Sequence, residues 1–386
     1  GGSSHVEPFR CDDLLEEIAG KISGTVCFER GYDLESDERN DSMFTAAVEA
    51  AKGAEKVIVV AGLPERYESE GYDREHMDIP QVQNELIEAI AKVNPDTVVV
   101  LANGAAVLMP WIDKVPGVLE SYLGGEAAGG AIADLLYGDV NPSGKLAETF
   151  PASLMQTPAY LNYPGYQDEC VYHEGVFVGY RYYTTKGLKP MFPFGFGMSY
   201  TTFSYSGLFI DKSVISEDEK AVVTLKVKNS GKVAGKEIIQ LYIHDDHSSI
   251  PRPELELRHF TKIELLPGEE KKVNFVLSFR DFSYFDEDLN RFAVETGDFT
   301  VLAGGSSDNL PLRGRITVRA RREKKKVYTP YSTFGDIMKD KEAWPKMQKL
   351  AMQDPFYNMV FSGKFQNTDP EKVLGYNLLK ELGDTD

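Results

Sequence analysis

The stretch Glu55-Lys-Val-Ile-Val-Val-Ala-Gly62 decides the fold of the first half of this 386-residue chain, because a short β-branched apolar run that ends in glycine is typical of a buried strand. Residues 80–93 then place apolar side chains at helical spacing behind a proline, and Thr97-Val-Val-Val-Leu101 is a second apolar run. Residues 118–122 and 126–137 repeat the strand and helix. This alternation predicts an α/β domain with a mostly parallel sheet. Ligands bind at the carboxyl ends of such strands, so the loops after the first two strands are where function is expected.

The pattern changes near residue 200 to that of an all-β domain. Residues 222–227 alternate between apolar and polar side chains, and the turn sequence Asn229-Ser-Gly-Lys follows them. Further short runs with strand composition lie at 238–243, 273–277 and 299–302. Short strands separated by turns over about 110 residues predict a β-sandwich.

The C-terminal segment differs from both of these regions. Its composition predicts helices at 337–352 and 371–382, without an apolar face large enough for an independent domain. We therefore expect a helical extension that packs on something else. The basic run at 319–326 is best interpreted as a solvated linker, since no aromatic platform for nucleic acid accompanies it.

The composition excludes several classes of partner. Lysine and arginine total 42 against 60 aspartate and glutamate residues, so the net charge is −18, which argues against nucleic acid or an anionic membrane surface. No apolar run approaches the roughly 18 residues that a membrane span needs. Three cysteines are an odd number and a poor disulfide framework, so a reducing compartment is the simpler prediction. Six histidines without a CxxC pair argue against a structural zinc site, and we expect neither metal nor cofactor.

Two motifs suggest chemistry that their details do not support. The glycine-rich segment 124–130 lacks both the G-x-G-x-x-G spacing and the GK[ST] ending of phosphate-binding loops, so we interpret its small residues as close packing of a helix on the sheet. His244 and His247 lie beside Asp245 and Asp246 and suggest a metal, but an exposed loop at a strand end explains them better. No G-x-S-x-G elbow is present, so a hydrolase triad of that type is unsupported.

A first group of carboxylates follows the first strand, in the segment Glu68-Ser-Glu-Gly-Tyr-Asp-Arg74. One interpretation is a surface loop that its arginine anchors. The position at the carboxyl end of a buried strand favours a functional interpretation, in which these groups bind sugar hydroxyls or orient a neighbouring loop.

A single acid, Glu174, stands among aromatic and apolar residues in the segment 171–183. Such surroundings favour the neutral form of a carboxyl group, and the neutral form is what a general acid needs. The alternative is a glutamate at a strand edge beside an aromatic patch. The local chemistry alone leaves both interpretations open.

A further set of motifs extends over most of the chain: Glu68–Arg74, Asp139–Leu146 with Thr149-Phe-Pro151, Tyr172–Arg181, Pro193–Phe203, and Gly231–Tyr242 with Glu237 and Gln240. Together these motifs resemble glycoside hydrolase family 3, and most closely its bacterial β-glucosidases. The resemblance implies three modules: a catalytic (β/α)8 barrel, an α/β sandwich domain and a fibronectin type III-like domain.

The resemblance assigns three regions to this chain. Residues 1–203 correspond to the α/β sandwich domain, 204–322 to the fibronectin type III-like domain, and 323–386 form a helical C-terminal extension. No segment has room for the roughly 250 residues of a barrel. Residues 1–5 resemble an internal family loop after the first strand of the sandwich domain. The expectation is therefore a chain that begins inside a longer polypeptide, lacks that strand and works with an N-terminal barrel chain.

The resemblance also implies a reaction, the hydrolysis of terminal non-reducing β-D-glucosyl residues by an exo-acting, retaining enzyme. In this mechanism an aspartate of the barrel is the nucleophile, and Glu174 matches the family's general acid/base by its place in the motif. The carboxylates of a retaining pair stand about 5 Å apart. Glu174 is therefore expected to face the barrel across a domain interface.

Other site residues carried over from the family are Glu68, Ser69 and His5. Some members have a serine that touches the bound sugar in the loop after the first strand; here Glu68 occupies that place and Ser69 is next, so either could make the contact. His5 is expected to border the leaving-group subsite. Tyr180 and Arg181 are expected to support the general acid from behind.

A second hypothesis is a non-catalytic carbohydrate-binding or scaffold module that uses the surface of the β-sandwich. The bacterial resemblance and the cysteine content together predict a cytoplasmic location. The glycone, the aglycone and self-association into a homo-oligomer are left open.

Overall fold

The computed structural model describes residues 6–287, 289–321, 328–329, 332, 337–338 and 340–353. The chain divides into two compact units, residues 1–321 and 322–386, which are described separately below. His5, which the sequence suggests as a site residue, lies outside the described residues, as does the predicted helix at 371–382.

The first half of the first unit contains the predicted parallel sheet. Its three strands are β1 (Val57–Gly62), β2 (Thr97–Ala102) and β3 (Gly117–Glu120), paired in the order β1–β2–β3. Both pairs are parallel, with Val59 opposite Val99 and Val99 opposite Val118. The prediction of an α/β domain with a parallel sheet is therefore confirmed, and the three carboxyl ends lie along one edge.

Helices connect and cover these strands. They are α1 (Leu14–Lys21), α2 (Asp41–Gly53), α3 (Gln81–Val93), α4 (Ala128–Tyr137) and α5 (Tyr180–Lys186). The predicted helical face of α3 is buried, with Leu86 and Ile87 at 3% and 0% exposure. Trp111 is fully buried beneath this helix, and its indole Nε1 donates a 2.8 Å hydrogen bond to Asn84 Oδ1.

The glycines at the start of α4 pack against the segment around Asp12, whereas the sequence predicts that they pack against the sheet. A Cβ atom on Gly129 would lie 2.7 Å from the carbonyl oxygen of Asp12, and one on Gly130 would lie 3.1 Å from Asp12 Oδ2. The small residues therefore admit the segment that leads into α1, and the expectation that they bring the helix close to the sheet is wrong. Asp12 N–H also donates to Glu126 O, which fixes that segment.

The second half of this unit is a β-sandwich. Its elements are β4 (Phe203–Ile210), β5 (Val214–Ser216), β6 (Ala221–Asn229), β7 (Gly235–Asp245), β8 (Glu256–Leu265), β9 (Glu270–Leu277), the short helix α6 (Phe279–Phe282), β10 (Tyr284–Asp286), β11 (Arg291–Ala293), β12 (Gly297–Gly304) and β13 (Leu312–Arg319). The larger sheet has the order β5–β13–β12–β7–β8 and the smaller sheet the order β4–β6–β9, while β10 and β11 form a separate hairpin. The four predicted strands are β6, β7, β9 and β12, whereas β4, β5, β8, β10, β11 and β13 were not predicted.

The predicted alternation of the first of these strands fills the core between the two sheets. Val223, Leu225 and Val227 of β6 are fully buried and belong to the same cluster as Phe299 and Val301 of β12. Alternate burial of this kind is what makes one face of each sheet apolar.

The α/β region and the β-sandwich meet through buried polar contacts. Lys145 Nζ lies 3.2 Å from Glu237 Oε1, and both side chains are largely buried. Tyr205 Oη donates to the same carboxylate at 2.9 Å, and Asn141 Nδ2 donates to the carbonyl of Ala234. Because each of these buried polar groups has a partner, the contacts fix the position of the α/β region on the β-sandwich.

The second unit contains helix α7 (Ala343–Ala351) within its described part. This helix lies inside the range predicted at 337–352. Tyr328 Oη donates to Asp340 Oδ2 at 2.7 Å, just ahead of the helix.

A test of the sandwich concerns Asn229, which is fully buried and makes four hydrogen bonds, two to its Oδ1 and two from its Nδ2. Replacing Asn229 by Ala leaves buried donors and acceptors unpaired, so we expect the free energy of unfolding to fall by about 3 kcal/mol. The exposed Asn274, which accepts from Thr224 Oγ1 on β6, is the matched control, and its replacement by Ala is expected to cost below about 1 kcal/mol. Urea unfolding followed by circular dichroism gives both values; equal losses would contradict the role of Asn229.

Candidate active site

The loops that follow β1 and β2 are tied together by a carboxylate. Glu68 Oε1 accepts a hydrogen bond from the backbone N–H of Gly104, and its side chain is half-buried. A side chain on Gly104 would meet that carboxylate at 2.9 Å, so glycine is the residue that permits the approach. Of the functional roles foreseen for this segment, Glu68 therefore performs one, the orientation of a neighbouring loop.

A second tie joins the ends of β2 and β3. Asn103 is fully buried, and its Nδ2 donates to Glu120 Oε2 at 3.3 Å and to Ala105 O at 3.0 Å. Glu120 Oε1 accepts from the N–H of Tyr122 at 3.0 Å, in a backbone with φ of 50° at Tyr122. This left-handed conformation turns the chain sharply at the edge of the sheet.

Two carboxyl groups at this edge hold their protons more tightly than usual. Burial raises the pKa of Glu120 to about 7, and the nearby Glu148 carboxylate adds to the effect. Burial also raises the pKa of Glu148. The hydrogen bond from the N–H of Ala106 and the charge of Arg74 lower this pKa and so offset part of the effect of burial. At neutral pH the edge therefore carries less negative charge than its composition suggests.

Several buried polar atoms of the α/β region have no hydrogen-bond partner among the described residues. Four belong to residues at or next to this edge, namely Arg74 Nη1, Asn103 Oδ1, Tyr122 Oη and Thr149 Oγ1, and a fifth is Glu174 Oε2. Buried polar groups are normally paired, and an unpaired group costs about 1–3 kcal/mol. Ordered water or another molecule would supply the missing partners.

Glu174 lies in a loop of successive turns that leads directly into α5. The loop is closed by its own backbone, since Phe177 N–H donates to Glu174 O at 2.9 Å and Gly175 N–H donates to Tyr172 O at 3.1 Å. The structure has no strand between residues 171 and 179, so the alternative of a glutamate at a strand edge is wrong. The side chain of Glu174 is half-buried, although Tyr172 next to it is 76% exposed.

A cavity of about 510 Å³ connects the two candidate segments. Arg74, at the end of the first segment, lines it together with Val178 and Tyr180 of the second, and Glu148 and Thr149 complete its polar wall. Asp73 also forms a hydrogen bond with Tyr163, which raises the pKa of that phenol. The sheet edge and the Glu174 loop therefore border one region, although Glu174 itself is not a lining residue of the cavity.

The remaining predicted site residue, Ser69, lies in the same loop as Glu68. Its Oγ accepts from the N–H of Gly71 at 3.2 Å, and its side chain is half-buried. Within the described ranges, no hydrogen bond joins Glu68 or Ser69 to Glu174.

Asn103, Glu120 and Glu148 were not singled out from the sequence. The sequence does give the positions of two of them, because Asn103 directly follows the second predicted strand and Glu120 lies near the end of the third. The sequence does not give their burial, since burial depends on which side of each loop faces the protein.

His244, the first of the two histidines near the end of β7, contacts protein atoms. His244 Nδ1 lies 2.9 Å from the carbonyl oxygen of Glu254, and buried Asp245 pairs with Arg252 at 2.8 Å. The described part of the chain contains no group of three or more His, Cys, Asp or Glu side chains that could hold a metal ion. Within the same residues, no helix combines the length and apolarity that a membrane crossing requires.

Comparison with known protein families gives two matches along the chain. Residues 1–180 match the glycosyl hydrolase family 3 C-terminal domain, and residues 237–307 match a fibronectin type III-like domain. The chain belongs to glycosyl hydrolase family 3. Its β-sandwich is thus the fibronectin type III-like domain that the family resemblance implied.

Relatives of this family 3 chain extend the match to nearly its whole length. Thermostable beta-glucosidase B of Acetivibrio thermocellus is 51% identical over 99% of the chain, which covers 53% of that protein. An exo-alpha-(1->6)-L-arabinopyranosidase of Bifidobacterium breve is 38% identical over 87% of the chain and 44% of that protein. The crystal structure of a GH3 beta-glucosidase from Bifidobacterium adolescentis superposes with a TM-score of 0.80 at 38% identity, over 90% of this chain and 51% of that one. The chain therefore spans about half the length of the relatives it matches.

The raised pKa of Glu120 predicts how stability depends on pH. The folded carboxyl keeps its proton up to about pH 7, whereas the unfolded one releases it near its ordinary value of 4.5. The stabilisation is therefore complete below about pH 4.5 and is lost as the pH rises through 7. Replacing Glu120 by Gln removes this dependence. As the pH rises from 5 to 8, the free energy of unfolding of the variant should therefore increase by about 1–2 kcal/mol relative to that of the parent chain.

Urea unfolding at several pH values measures this difference. The amide loses one acceptor, but that loss is the same at each pH and leaves the slope unaffected. The control is Gln in place of the exposed Glu75, for which we expect no change in slope. Parallel pH profiles for the Glu120 variant and the parent chain would contradict the prediction.

Proposed function

We propose that this chain provides the general acid/base of a retaining, exo-acting β-glucosidase that removes terminal non-reducing β-D-glucosyl residues. Its partner is an N-terminal (β/α)8 barrel of the same enzyme, which carries the aspartate nucleophile. The observation that carries the proposal is the state of Glu174, whose Oε2 is buried without a hydrogen-bond partner among the described residues while the loop around it is exposed.

That state suits a proton donor. A general acid must leave its donating oxygen free for the glycosidic oxygen of the substrate, and no described residue competes for Glu174 Oε2. Paired surface glutamates in this chain differ, as Glu270 illustrates: Lys226 Nζ holds its Oε1 at 2.8 Å. Glu174 also stands in the family motif Tyr172–Arg181, and the relatives named beta-glucosidases support the same assignment.

The proposed reaction has two displacements at the anomeric carbon. In the first, the aspartate carboxylate forms a bond to that carbon as the bond to the glycosidic oxygen breaks, and Glu174 transfers its proton to the departing oxygen. In the second, water attacks the same carbon, its proton passes to Glu174, and the aspartate carboxylate leaves. Two inversions give net retention, which requires the two carboxylates to stand about 5 Å apart.

The barrel is expected to cover the Glu174 loop and the neighbouring edge of the sheet. The exposed aromatic side chains near Glu174, Tyr166 and Tyr172, offer apolar area for such a contact. In the same arrangement Ser69 and Glu68 contact the sugar and His5 borders the leaving-group subsite. Ser69 is the better placed of the loop pair, because Glu68 Oε1 already holds Gly104.

The proposed glycone and location rest on the relatives and the composition. The relatives named beta-glucosidases favour glucose as the glycone. The relative named an arabinopyranosidase makes L-arabinopyranose the alternative glycone. A bacterial cytoplasmic location is supported by three cysteines that are free and exposed.

The alternative is a non-catalytic carbohydrate-binding module. The exposed tyrosines near Glu174 favour it, since aromatic faces can stack on sugar rings. Intact mass and gel filtration of the purified protein, followed by an assay with an aryl β-D-glucoside, distinguish the two functions. Turnover by a species that contains both this chain and a barrel supports the enzyme; a lone 43 kDa species that binds glycans without cleaving them supports the module.

Removal of Glu174 tests its role in the complete enzyme. Glu174→Ala is expected to lower kcat/KM by about 10²–10⁴-fold on alkyl glucosides, whose leaving groups need a proton. Dinitrophenyl glucoside needs little protonation, so its first step should be nearly unaffected, and added azide should restore turnover by attacking the glycosyl-enzyme without a base.

The control is Glu169→Ala, which removes an exposed glutamate just ahead of the segment 171–183 and should leave both rates unchanged. Equal losses on both substrates without azide rescue would show that Glu174 is structural.

A further inference from the structure

The helix that follows the Glu174 loop is held by the fibronectin type III-like domain. Helix α5 begins at Tyr180, whose Oη accepts a 2.7 Å hydrogen bond from the backbone N–H of Leu257 on β8. Tyr180 thus links the first turn of the helix to the second residue of a sandwich strand. The loop that carries Glu174 ends where this link begins.

The ring of Tyr180 is fixed as firmly as its hydroxyl. It lies 5.0 Å from the ring of Phe194 and 5.6 Å, edge-on, from the ring of Tyr242 on β7. Tyr242 is fully buried, and its Oη donates to Gln240 Oε1. The ring is therefore seated in an apolar cluster on the outer face of the sandwich, where Leu255 and Leu302 are also buried.

Two further contacts repeat the connection along α5. The backbone N–H of Glu254 donates to Thr185 Oγ1 at 2.9 Å, near the end of the helix. Arg181 Nη2 lies 4.0 Å from Glu256 Oε1. Both ends of the helix therefore contact the same short segment of the sandwich.

That segment is itself fixed to the sandwich. Arg252 is 5% exposed and joins Asp245 at 2.8 Å, Glu256, and the carbonyl of Phe282 at 3.0 Å. Arg258 pairs with Glu256 at 2.9 Å. A network of buried, mutually paired charges is costly to rearrange, so the segment that holds α5 has little freedom to move.

We propose that the fibronectin type III-like domain sets the position of Glu174, with Tyr180 as the positioning residue that transmits it. This inference rests on the proposed function, because it concerns the geometry of the same general acid. A proton donor must reach the leaving oxygen within hydrogen-bond distance, and a displacement of about 1 Å can cost up to about 100-fold in rate. The sandwich, which has no catalytic group of its own in the proposal, therefore contributes to catalysis through α5.

The test uses Tyr180→Phe in the complete enzyme. The variant keeps the ring and removes only the acceptor for Leu257 N–H. We expect kcat on alkyl glucosides to fall about tenfold and kcat/KM on dinitrophenyl glucoside to change less than about twofold, because only the first substrate depends on proton donation. Thr185→Val, which removes the second acceptor, should act in the same direction.

Thr224→Val is the control, matched to Thr185→Val. It removes a hydroxyl of the same sandwich that donates to the exposed Asn274 and takes part neither in the joint with the α/β region nor in the contacts with α5. Its rates on both substrates should equal those of the parent enzyme. If Tyr180→Phe behaves like this control, or lowers both rates equally, the proposal is overturned.

Amide hydrogen exchange on the chain itself separates this proposal from the proposed function. Tyr180→Phe should increase exchange at Gly175, Phe177 and Arg181, whose N–H groups hold the loop and the helix start. Unchanged exchange overturns the positioning role even if activity falls. If Glu174→Ala shows no dependence on the leaving group, the proposed function fails, whereas exchange still decides whether Tyr180 fixes the loop.

Discussion

The parallel pairing of β1, β2 and β3 is the constraint on which the candidate site depends. Parallel strands point their carboxyl ends in one direction, so the loops that follow them meet at one edge of the sheet. Glu68 and Asn103 then connect the loops after β1, β2 and β3. Without this pairing, polar residues from three separate stretches of sequence would have no reason to be neighbours.

The same edge shows how burial changes the chemistry of ordinary residues. Burial favours the protonated form of Glu120 and of Glu148, and Oδ1 of the fully buried Asn103 has no hydrogen-bond partner among the described residues. An unpaired buried polar group lowers the free energy of unfolding. These groups therefore destabilise the edge of the sheet, and the requirements of the fold alone do not account for them.

The sequence was informative where local patterns determine structure. The apolar runs at β1 and β2, the helical face of α3 and the alternation of β6 predicted buried elements, and they are buried because each pattern has one face that water disfavours. The family motif around Glu174 likewise located a half-buried acid.

The sequence was uninformative where long-range packing decides. The glycines of α4 accommodate Asp12, more than a hundred residues earlier in the chain. The carboxylate of Glu120 accepts from the N–H of Tyr122, whose backbone has a left-handed conformation. The first half of β8 lacks a simple alternation of buried residues, and Leu257 within it donates its N–H to Tyr180 of α5. None of these features has a signature within a short window of residues.

The pairing of β7 with β8 shifts register between Leu241 and Tyr242, and both residues are fully buried, on opposite faces of the sheet. Leu241 belongs to the core between the sheets, whereas Tyr242 belongs to the outer cluster with Leu255 and Leu302. The fibronectin type III-like domain therefore has an apolar exterior that an autonomous sandwich would leave in water. Excised from the chain, this domain would expose an apolar patch that promotes aggregation. In protein engineering it should therefore be exchanged only together with the segment that contains α5.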